Sequence, residues 1–270
     1  MLVVFTDLDG TLLDRETYAW DAARPAVQFL RDHEIPWIFV TSKTKAEAEY
    51  WRQVTGNEHP FVVEDGGAIL APTGYFADGI PGAVRRNGYE TLVWGRPYAD
   101  LIAGLDAASR MSGCRVRGFH QMTAAEIATA CRLPLEQAIL AKRRQYDEPF
   151  EIFGEGCCAA LESAIAAQGF VSVRGGRFHH ISAPHDKGCA VRVLSNLFRR
   201  SAGRVKTVGL GDGWNDLPLL LAVDVPVVMP SRDAVDIVRK ITNAIVADQP
   251  GPKGWNEIVL DMARDRDETA

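Results

Sequence analysis

The stretch Leu2-Val3-Val4-Phe5-Thr6-Asp7-Leu8-Asp9-Gly10-Thr11 joins a short apolar run to two aspartates and a glycine. The apolar, β-branched part predicts a buried strand. Asp7 and Asp9 then leave that strand at the edge where open α/β sheets bind ligands. In a continuing strand the two side chains would point to opposite faces, but Gly10 lets the chain turn, so both carboxylates can approach one point. The motif predicts paired carboxylates at a site, although solvated aspartates in a tight turn would give the same five residues.

A second motif, Gly211-Asp212-Gly213-Trp214-Asn215-Asp216, follows an apolar run at residues 205–210. We expect Asp212 at the same sheet edge as Asp7, with Asp216 about one helical turn further on. Oxygen-rich clusters of this kind suit Mg²⁺. A dinucleotide-binding glycine fingerprint is excluded, because Trp214 stands at its third glycine position. The alternative is an Asp-Gly turn in which Asp212 or Asn215 caps a helix.

Two weaker signals lie at other junctions of the chain. Thr41-Ser42-Lys43-Thr44 ends an apolar run, and His185-Asp186-Lys187-Gly188 precedes a helical pattern. Hydroxyls and backbone N–H groups at a strand-to-helix junction can hold a phosphate, although a simple helix cap gives the same pattern. A lysine at a helix start is unfavourable for the helix dipole, which hints that some other interaction keeps Lys187 there.

Strand and helix patterns alternate at both ends of the chain. Short apolar runs predict strands and amphipathic stretches predict helices, among them residues 36–40, 45–54, 61–63, 189–199 and 226–229. Strands that are apolar throughout and separated by helices are typical of a parallel α/β sheet. Between Gly- and Pro-containing stretches, strand, helix and strand patterns recur in the middle of the chain. We therefore expect a sheet domain formed by residues 1–81 and 185–270, with a second domain inserted at residues 82–184.

The composition narrows the class of protein. The 270 residues are 47% hydrophobic and 24% charged, with 30 Lys and Arg against 35 Asp and Glu, which gives a formal net charge of −5. This mix is typical of a globular protein and disfavours a nucleic-acid binder. We expect no membrane segment, because no apolar run approaches the ~20 residues that span a bilayer. The N-terminus has no signal-peptide pattern, and the five cysteines form no Cys-x-x-Cys pair, so we expect a cytoplasmic protein.

Together the four motifs resemble those of the haloacid dehalogenase (HAD) superfamily of phosphatases. Its first motif, Asp-x-Asp-x-Thr, is met by Asp7, Asp9 and Thr11, and its Gly-Asp-x-x-x-Asp motif begins at Gly211. Thr41 and Lys187 occupy the strand-terminal threonine and the lysine before a helix. The resemblance implies a Rossmann-like doubly wound parallel sheet with an inserted α+β cap of the C2B type.

The resemblance also implies a role for each core residue. Asp7 is expected to be the nucleophile and Asp9 the general acid and base. Mg²⁺ is expected on the Asp7 carboxylate, the Asp9 backbone carbonyl and Asp212. The phosphate-binding set is expected to be Asp7, Thr41, Ser42, Lys43 and Lys187. Asn215 and Asp216 are expected to support the metal or the lysine.

A closer resemblance, to the mannosyl-3-phosphoglycerate phosphatase branch, covers nearly the whole chain. It rests on Thr41-Ser42-Lys43-Thr44, on Glu64-Asp65-Gly66-Gly67, and on two segments at residues 144–150 and 175–180. The sequence departs from that pattern at Asp65, where asparagine is usual, and at Trp214, where small residues are common. The resemblance implies a phosphorylated sugar-glycerate substrate, as a compatible-solute pathway would require.

The candidate substrate residues are Glu64, Asp65, Gly66, Gly67, Arg144, Arg177 and His180. Arg144 and Arg177 are candidates for the glycerate carboxylate, because arginine binds carboxylates through two donors. Surface arginines are the alternative. Nothing in the sequence fixes the oligomeric state.

Other functions stay open at this point. A phosphatase of the same fold could act on glucosyl-3-phosphoglycerate or another sugar phosphate, since one hydroxyl separates mannose from glucose. A phosphomutase or phosphotransferase would pass the phosphoryl group to an alcohol. A non-catalytic regulator is disfavoured, because Asp7, Asp9, Lys187 and Asp212 are all present.

Overall fold

A computed structural model of the chain describes residues 1–154, 156–175 and 178–264. Within these ranges the strands are β1 (Leu2–Thr6), β2 (Trp37–Val40), β3 (Phe61–Val63), β4 (Ala68–Pro72), β5 (Val84–Arg86), β6 (Tyr89–Val93), β7 (Arg115–Gly118), β8 (Asp147–Phe153), β9 (Val171–Arg174), β10 (His179–Ser182), β11 (Lys206–Gly211), β12 (Val225–Val228) and β13 (Ile245–Val246). The α-helices are α1 (Arg24–Asp32), α2 (Lys45–Thr55), α3 (Tyr98–Ser112), α4 (Ala124–Cys131), α5 (Leu135–Ala141), α6 (Cys157–Ala166), α7 (Lys187–Ala202), α8 (Leu217–Leu220), α9 (Ala234–Val238) and α10 (Gly251–Arg264). None of the helices described is long and apolar enough to cross a membrane.

Nine strands form the core sheet, in the order β13-β12-β11-β1-β2-β3-β4-β6-β5. The strands from β13 to β3 pair in parallel, while β4, β6 and β5 add an antiparallel edge. β1 lies in the middle, and all five of its residues are buried. The predicted α/β fold with a doubly wound parallel sheet and an added cap is confirmed.

Helices cover both faces of the core sheet. Alternate residues of β1 pack into two separate hydrophobic clusters, with Val4 in one and Phe5 in the other. α1 and α10 contribute to the first cluster, and α7 contributes to the second. Burial on both faces explains why these strands are apolar at every position. It also leaves the carboxyl ends of the parallel strands as the open edge of the domain.

A second sheet, with the order β7-β8-β10-β9, forms an antiparallel cap. α3 and α6 pack through one hydrophobic cluster, which includes Leu101 and Leu161. A smaller cluster joins α4 and α5 to Phe119 and Phe178. The cap sheet starts and ends well inside the chain, so the core is formed from both ends of the sequence.

The predicted start of the cap at residue 82 needs correction. β5 and β6 were assigned to the inserted domain, but β6 pairs with β4 and extends the core sheet. The Gly- and Pro-containing stretch before residue 82 is therefore a connection within the core and not a domain boundary. These edge strands are largely exposed, so they lack the buried pattern that marks the parallel strands. The elements of the cap begin only at α3.

Candidate active site

The four sequence motifs meet at the carboxyl edge of the core sheet. Asp7 directly follows β1, and its backbone N–H donates to the carbonyl of Leu210 in β11 at 2.9 Å. Lys187 begins α7 and is fully buried, although it carries a charge. Its Nζ reaches Asp7 Oδ1 at 2.7 Å and Asp216 Oδ1 at 2.5 Å. A buried lysine therefore joins the first and last motifs.

Burial and neighbouring charges shift the pKa values of Lys187 and Asp7 in opposite directions. Burial lowers the pKa of Lys187, but the carboxylates of Asp216 and Asp7 outweigh burial and raise that pKa well above its ordinary value. Burial raises the pKa of Asp7, and the Asp216 carboxylate raises it further, while Lys187 acts against both. Lys187 is thus the charge that favours an ionised Asp7 in this buried position.

Asp216 is a supporting residue in the structure, as its predicted role requires. Its Oδ2 accepts from the backbone N–H groups of Asp212 and Gly213, both at 2.9 Å. Its Oδ1 is held by Lys187. Because both oxygens are already hydrogen-bonded, Asp216 fixes the turn and the lysine together.

The donor set at the site fits a divalent cation that prefers oxygen ligands. Carboxylate oxygens of Asp7, Asp212 and Asp216 all lie within 4.8 Å of one another. With Asp216 committed to other partners, Asp7 and Asp212 are the carboxylates that would hold a metal ion. Burial raises the pKa of Asp212 to about 6, with Asp216 adding to the rise and Arg15 opposing it. A bound cation would relieve this crowding of negative charge.

Asp9 has one fixed oxygen and one unpartnered oxygen. Oδ2 lies 2.9 Å from Lys43 Nζ, while Oδ1 is buried and has no hydrogen-bond partner among the described residues. Gly10 allows the chain to turn directly after Asp9 at this sheet edge. Its φ is +83°, and a Cβ there would overlap the Asp212 carboxylate. The predicted turn at Gly10 is present.

The Thr41-Ser42-Lys43 segment lies at the same edge, after β2. The Thr41 hydroxyl accepts from the Lys43 backbone N–H at 3.2 Å. Burial lowers the pKa of Lys43, but the carboxylates of Asp9 and Glu47 reverse this and raise it. The ammonium of Lys43 therefore faces the general-acid candidate, and its contact with a phosphate remains a prediction.

A cavity of about 400 Å³ separates this edge from the cap. Its core side is lined by polar residues, including Asp7, Asp9, Lys43, Asp212 and Asn215. Its cap side is more apolar, with Phe119, Leu133, Ala141, Pro149 and Phe178, together with Arg144, Arg174 and His180. A substrate held there would place its reacting group against the core and the rest of the molecule against the cap.

Two of the predicted substrate residues, Arg144 and His180, line the cavity. Arg144 is ion-paired with the buried carboxylate of Asp147 and donates to the Ser42 carbonyl at 3.0 Å. His180 Nδ1 lies 2.8 Å from Asp147 Oδ2. Burial lowers the pKa of His180, but Asp147 outweighs it and raises that pKa. Arg177 lies outside the described residues.

Glu64, Gly66 and Gly67 were predicted to contact substrate, but the structure places them outside the cavity. Glu64 is fully buried and accepts from the backbone N–H groups of Gln145 and Tyr146. A Cβ on Gly66 would overlap the carbonyl of Asp186, just before α7. A Cβ on Gly67 would approach Tyr146 to 2.6 Å. This segment is a tightly packed joint between core and cap, which explains its glycines.

Asp65 lies between that joint and the active site. Its Oδ1 accepts from Asn215 Nδ2 at 3.0 Å and lies 3.5 Å from Lys187 Nζ. It does not line the cavity among the described residues. The change from the usual asparagine therefore adds a carboxylate near Lys187, and its predicted contact with the sugar has no support in this geometry.

Sequence reasoning missed Arg15 and Arg174. Arg15 forms an ion pair with Asp212 and lies on the cavity. Arg174 ends β9 in the cap and also faces the cavity. Nothing in the sequence near Arg15 or Arg174 distinguishes either residue from a surface arginine.

Comparisons with known proteins agree with the geometry. No family model matches the chain. A glucosyl-3-phosphoglycerate/mannosyl-3-phosphoglycerate phosphatase from Methanococcoides burtonii is 38% identical over 262 residues, 96% of each chain. A mannosyl-3-phosphoglycerate phosphatase from Pyrococcus furiosus is 34% identical over 222 residues, 82% of this chain and 88% of the relative.

Solved structures agree on the fold. A sugar phosphatase of HAD subclass IIB superposes with a TM-score of 0.64 at 16% identity, covering 98% of this chain and 99% of the other. The sucrose-phosphatase of Synechocystis, solved with sucrose and phosphate, gives 0.61 at 13% identity, covering 96% and 97%. The sequence relatives go further than the fold, because their identity extends over most of the chain. We conclude that this chain, which has the fold of a HAD subclass IIB sugar phosphatase, belongs to the mannosyl-3-phosphoglycerate phosphatase family, whose members are phosphoric monoester hydrolases.

Proposed function

We propose that the protein is a Mg²⁺-dependent phosphatase that hydrolyses mannosyl-3-phosphoglycerate to mannosylglycerate and phosphate. The observation that carries this proposal is the position of Asp7 and Asp9 at the polar end of a cavity between core and cap, with the Lys187 ammonium hydrogen-bonded to Asp7. The cavity is large enough for a substrate with a sugar, a glycerate and a phosphate. The activities for which the relatives are named supply the substrate class.

The first chemical step uses Asp7 as the nucleophile. One carboxylate oxygen of Asp7 attacks phosphorus, the bond from phosphorus to the glycerate C3 oxygen breaks, and Asp9 donates a proton to that leaving oxygen. In the second step Asp9 takes a proton from water, which attacks the aspartyl phosphate. The Asp7–phosphate bond breaks, Asp7 is regenerated, and inorganic phosphate leaves. The unpartnered Oδ1 of Asp9 supports its assignment as the atom that carries the proton.

The surrounding residues hold the charges in place. Lys187 offsets the negative charge of Asp7 as an anionic phosphate approaches, and Asp216 fixes the lysine. Asp7, Asp212 and the Asp9 carbonyl would hold Mg²⁺, which neutralises charge on the transferring phosphoryl group when it is bound. Thr41, Ser42 and Lys43 remain the proposed contacts for the phosphoryl oxygens.

The cap supplies the enclosure and the substrate contacts. Apolar side chains such as Phe119 and Phe178 exclude water from one wall. Arg174 gives that wall positive charge, which suits the glycerate carboxylate, while Arg144 and His180 are both paired with the buried Asp147. All five cysteines are free thiols, which supports a location in a reducing compartment such as the cytoplasm.

Glucosyl-3-phosphoglycerate is a second candidate substrate. The relative from Methanococcoides burtonii and another from Persephonella marina, each 38% identical over 96% of this chain, are named for both sugars. Mannose and glucose differ in the orientation of one hydroxyl, so one hydrogen bond decides between them.

The decisive experiment measures phosphate release with Mg²⁺ from four compounds side by side: mannosyl-3-phosphoglycerate, glucosyl-3-phosphoglycerate, mannose 6-phosphate and 3-phosphoglycerate. We expect a clear preference for the two hexosyl-3-phosphoglycerates and no turnover by Asp7→Asn. Preference for another compound would overturn the substrate assignment. A phosphorylated second product would indicate phosphoryl transfer to an alcohol instead of hydrolysis.

A further inference from the structure

Trp214 stands at the cavity in a position that the catalytic chemistry does not use. It lies two residues after Asp212 and borders the cavity beside Gly213 and Asn215. Its side chain is 38% exposed, which is unusual for so large an apolar group inside a cleft. Its position close to the reacting edge therefore calls for an explanation.

Within the described part of the chain, the indole of Trp214 has no polar or aromatic partner. Among the residues that the structure describes, the Trp214 side chain forms no hydrogen bond, ion pair or ring contact. Trp255, by contrast, donates its Nε1 hydrogen to the Thr6 hydroxyl at 2.9 Å. An apolar face without partners in a cleft is suited to contact with a ligand.

The backbone beneath Trp214 is firmly held. Asp216 binds the N–H groups of Asp212 and Gly213 from below, and the Asp216 N–H donates to the Gly213 carbonyl at 3.0 Å. The Ser231 hydroxyl donates to the Asp212 carbonyl at 2.6 Å. A ring on such a fixed turn is already positioned before a ligand binds, which lowers the entropic cost of binding.

The cap contributes residues to the same cavity as the indole. The end of β9 approaches the turn that carries Trp214, and Arg174 and Gly175 line the same cavity. Gly175 has no side chain, and a Cβ there would approach His180 Nε2 to 2.7 Å. The cap side of the cavity thus includes a cationic side chain, Arg174, and a residue without a side chain, Gly175.

We propose that Trp214 is the stacking platform for the hexosyl group of the substrate, and so a specificity-determining residue. This inference rests on the proposed function and deepens it. A hexopyranose has a C–H face that packs on an aromatic ring, while the phosphate and the carboxylate of the same molecule require the charged groups around Asp7 and on the cap. The binding free energy gained by stacking on a ring face depends on the presence of the sugar far more than on the orientation of one hydroxyl. Trp214 therefore selects a hexosyl group and accepts both epimers.

The test compares kcat/KM for each hexosyl-3-phosphoglycerate with kcat/KM for 3-phosphoglycerate, which lacks the sugar. We expect Trp214→Ala to lower this ratio about tenfold. The loss of one aromatic contact at a binding site commonly reduces affinity by about that factor. The fall should be the same for mannosyl and glucosyl substrates within about threefold, and Trp214→Phe should restore most of the ratio. Tyr50→Ala is the matched control, because Tyr50 is 39% exposed on α2 but does not border the cavity. It should leave the ratio unchanged.

Two outcomes would contradict the proposal that Trp214 stacks on the hexosyl group. If Trp214→Ala changes turnover of sugar-bearing and sugar-free substrates by the same factor, the residue only maintains the site. If the ratio falls for one epimer alone, Trp214 reads a hydroxyl and not the ring face. Failure of the proposed function would look different, since the wild-type enzyme would then show no preference for hexosyl-3-phosphoglycerates over 3-phosphoglycerate.

Discussion

Lys43 Nζ lies 2.9 Å from Asp9 Oδ2, and the other carboxylate oxygen of Asp9 is buried without a hydrogen-bond partner among the described residues. Lys43 is itself buried and lies 3.7 Å from Glu47. The lysine thus fixes one oxygen of the proposed acid and leaves the other for the leaving group. This relationship makes Lys43 a positioning residue for proton transfer.

Replacing Lys43 should therefore affect the step that needs a proton. We expect Lys43→Met to lower kcat for a hexosyl-3-phosphoglycerate about 10- to 100-fold, a part of what a general acid contributes. Acetyl phosphate needs no proton on its leaving group, so its turnover should fall much less. Steady-state kinetics on both substrates test this.

The matched control is Lys45→Met, two residues further along, where the lysine lies 3.7 Å from Glu49 on the surface of α2. It should change neither rate. An equal loss for both substrates in Lys43→Met would show that Lys43 acts through the phosphoryl group alone and does not position Asp9.

Arg144 is expected to matter for stability as much as for substrate binding. It is buried, and its guanidinium is paired with Asp147 and lies 3.8 Å from Glu64. Arg144→Ala would leave these carboxylates buried without their cation, which costs about 3–5 kcal/mol of unfolding free energy. It should also raise KM, because Arg144 lines the cavity and binds the Ser42 carbonyl.

Urea unfolding followed by circular dichroism measures the predicted loss of unfolding free energy in Arg144→Ala. The neighbouring Arg143 is exposed, so Arg143→Ala should change the unfolding free energy by less than about 0.5 kcal/mol. A raised KM with unchanged stability would mean that Arg144 serves the substrate alone and that its ion pairs contribute little.

The metal site can be tested without turnover. Addition of Mg²⁺ to protein that has been stripped of metal with a chelator should raise its melting temperature, because an ion that binds only the folded state stabilises that state by mass action. Asp212→Asn should abolish this shift, since Asp212 is a proposed ligand with few alternatives nearby. Asp236→Asn, an exposed change on α9, should retain the shift in differential scanning fluorimetry. A full Mg²⁺ shift in Asp212→Asn would remove Asp212 from the metal site.

The meeting of the motifs at one sheet edge could be predicted from the sequence, because each motif directly follows a strand or begins a helix. The catalytic, metal-binding and phosphate-binding roles of their residues stay predictions. Asp7 and Asp212 follow buried parallel strands, and the rules of such sheets place both at one edge. Lys187 was recognised as unusual from the helix dipole alone, and the structure gives it two carboxylate partners. Each of these inferences needed only a strand end and its next few residues.

Contacts between distant segments could not be predicted in the same way. Glu64 looks like a site residue beside two glycines, yet it binds backbone N–H groups about 80 positions away. The core membership of β6 depends on pairing with β4 across an exposed edge, where no burial pattern marks it. Arg15 reaches Asp212 across nearly 200 residues. Such pairings follow from the path of the chain, which a single sequence does not contain.

Glu64 gives the joint between core and cap a specific dependence on pH. Burial raises the pKa of Glu64 to about 7, with Arg144 and the backbone N–H groups of Tyr146 and Gln145 opposing the rise and Asp147 adding to it. Between its ordinary pKa of 4.5 and 7, the unfolded chain releases this proton while the folded protein keeps it, so stability falls as pH rises.

The difference in unfolding free energy between wild type and Glu64→Gln isolates this group. Glutamine keeps the volume and one acceptor oxygen but does not titrate. As pH rises from 4.5 to 7, we expect wild type to lose about 2–3 kcal/mol relative to Glu64→Gln, and then to level off. Denaturant titrations at half-unit steps of pH measure the difference. A difference that stays constant over this range would show that Glu64 is ionised throughout and that Arg144 overcomes the effect of burial.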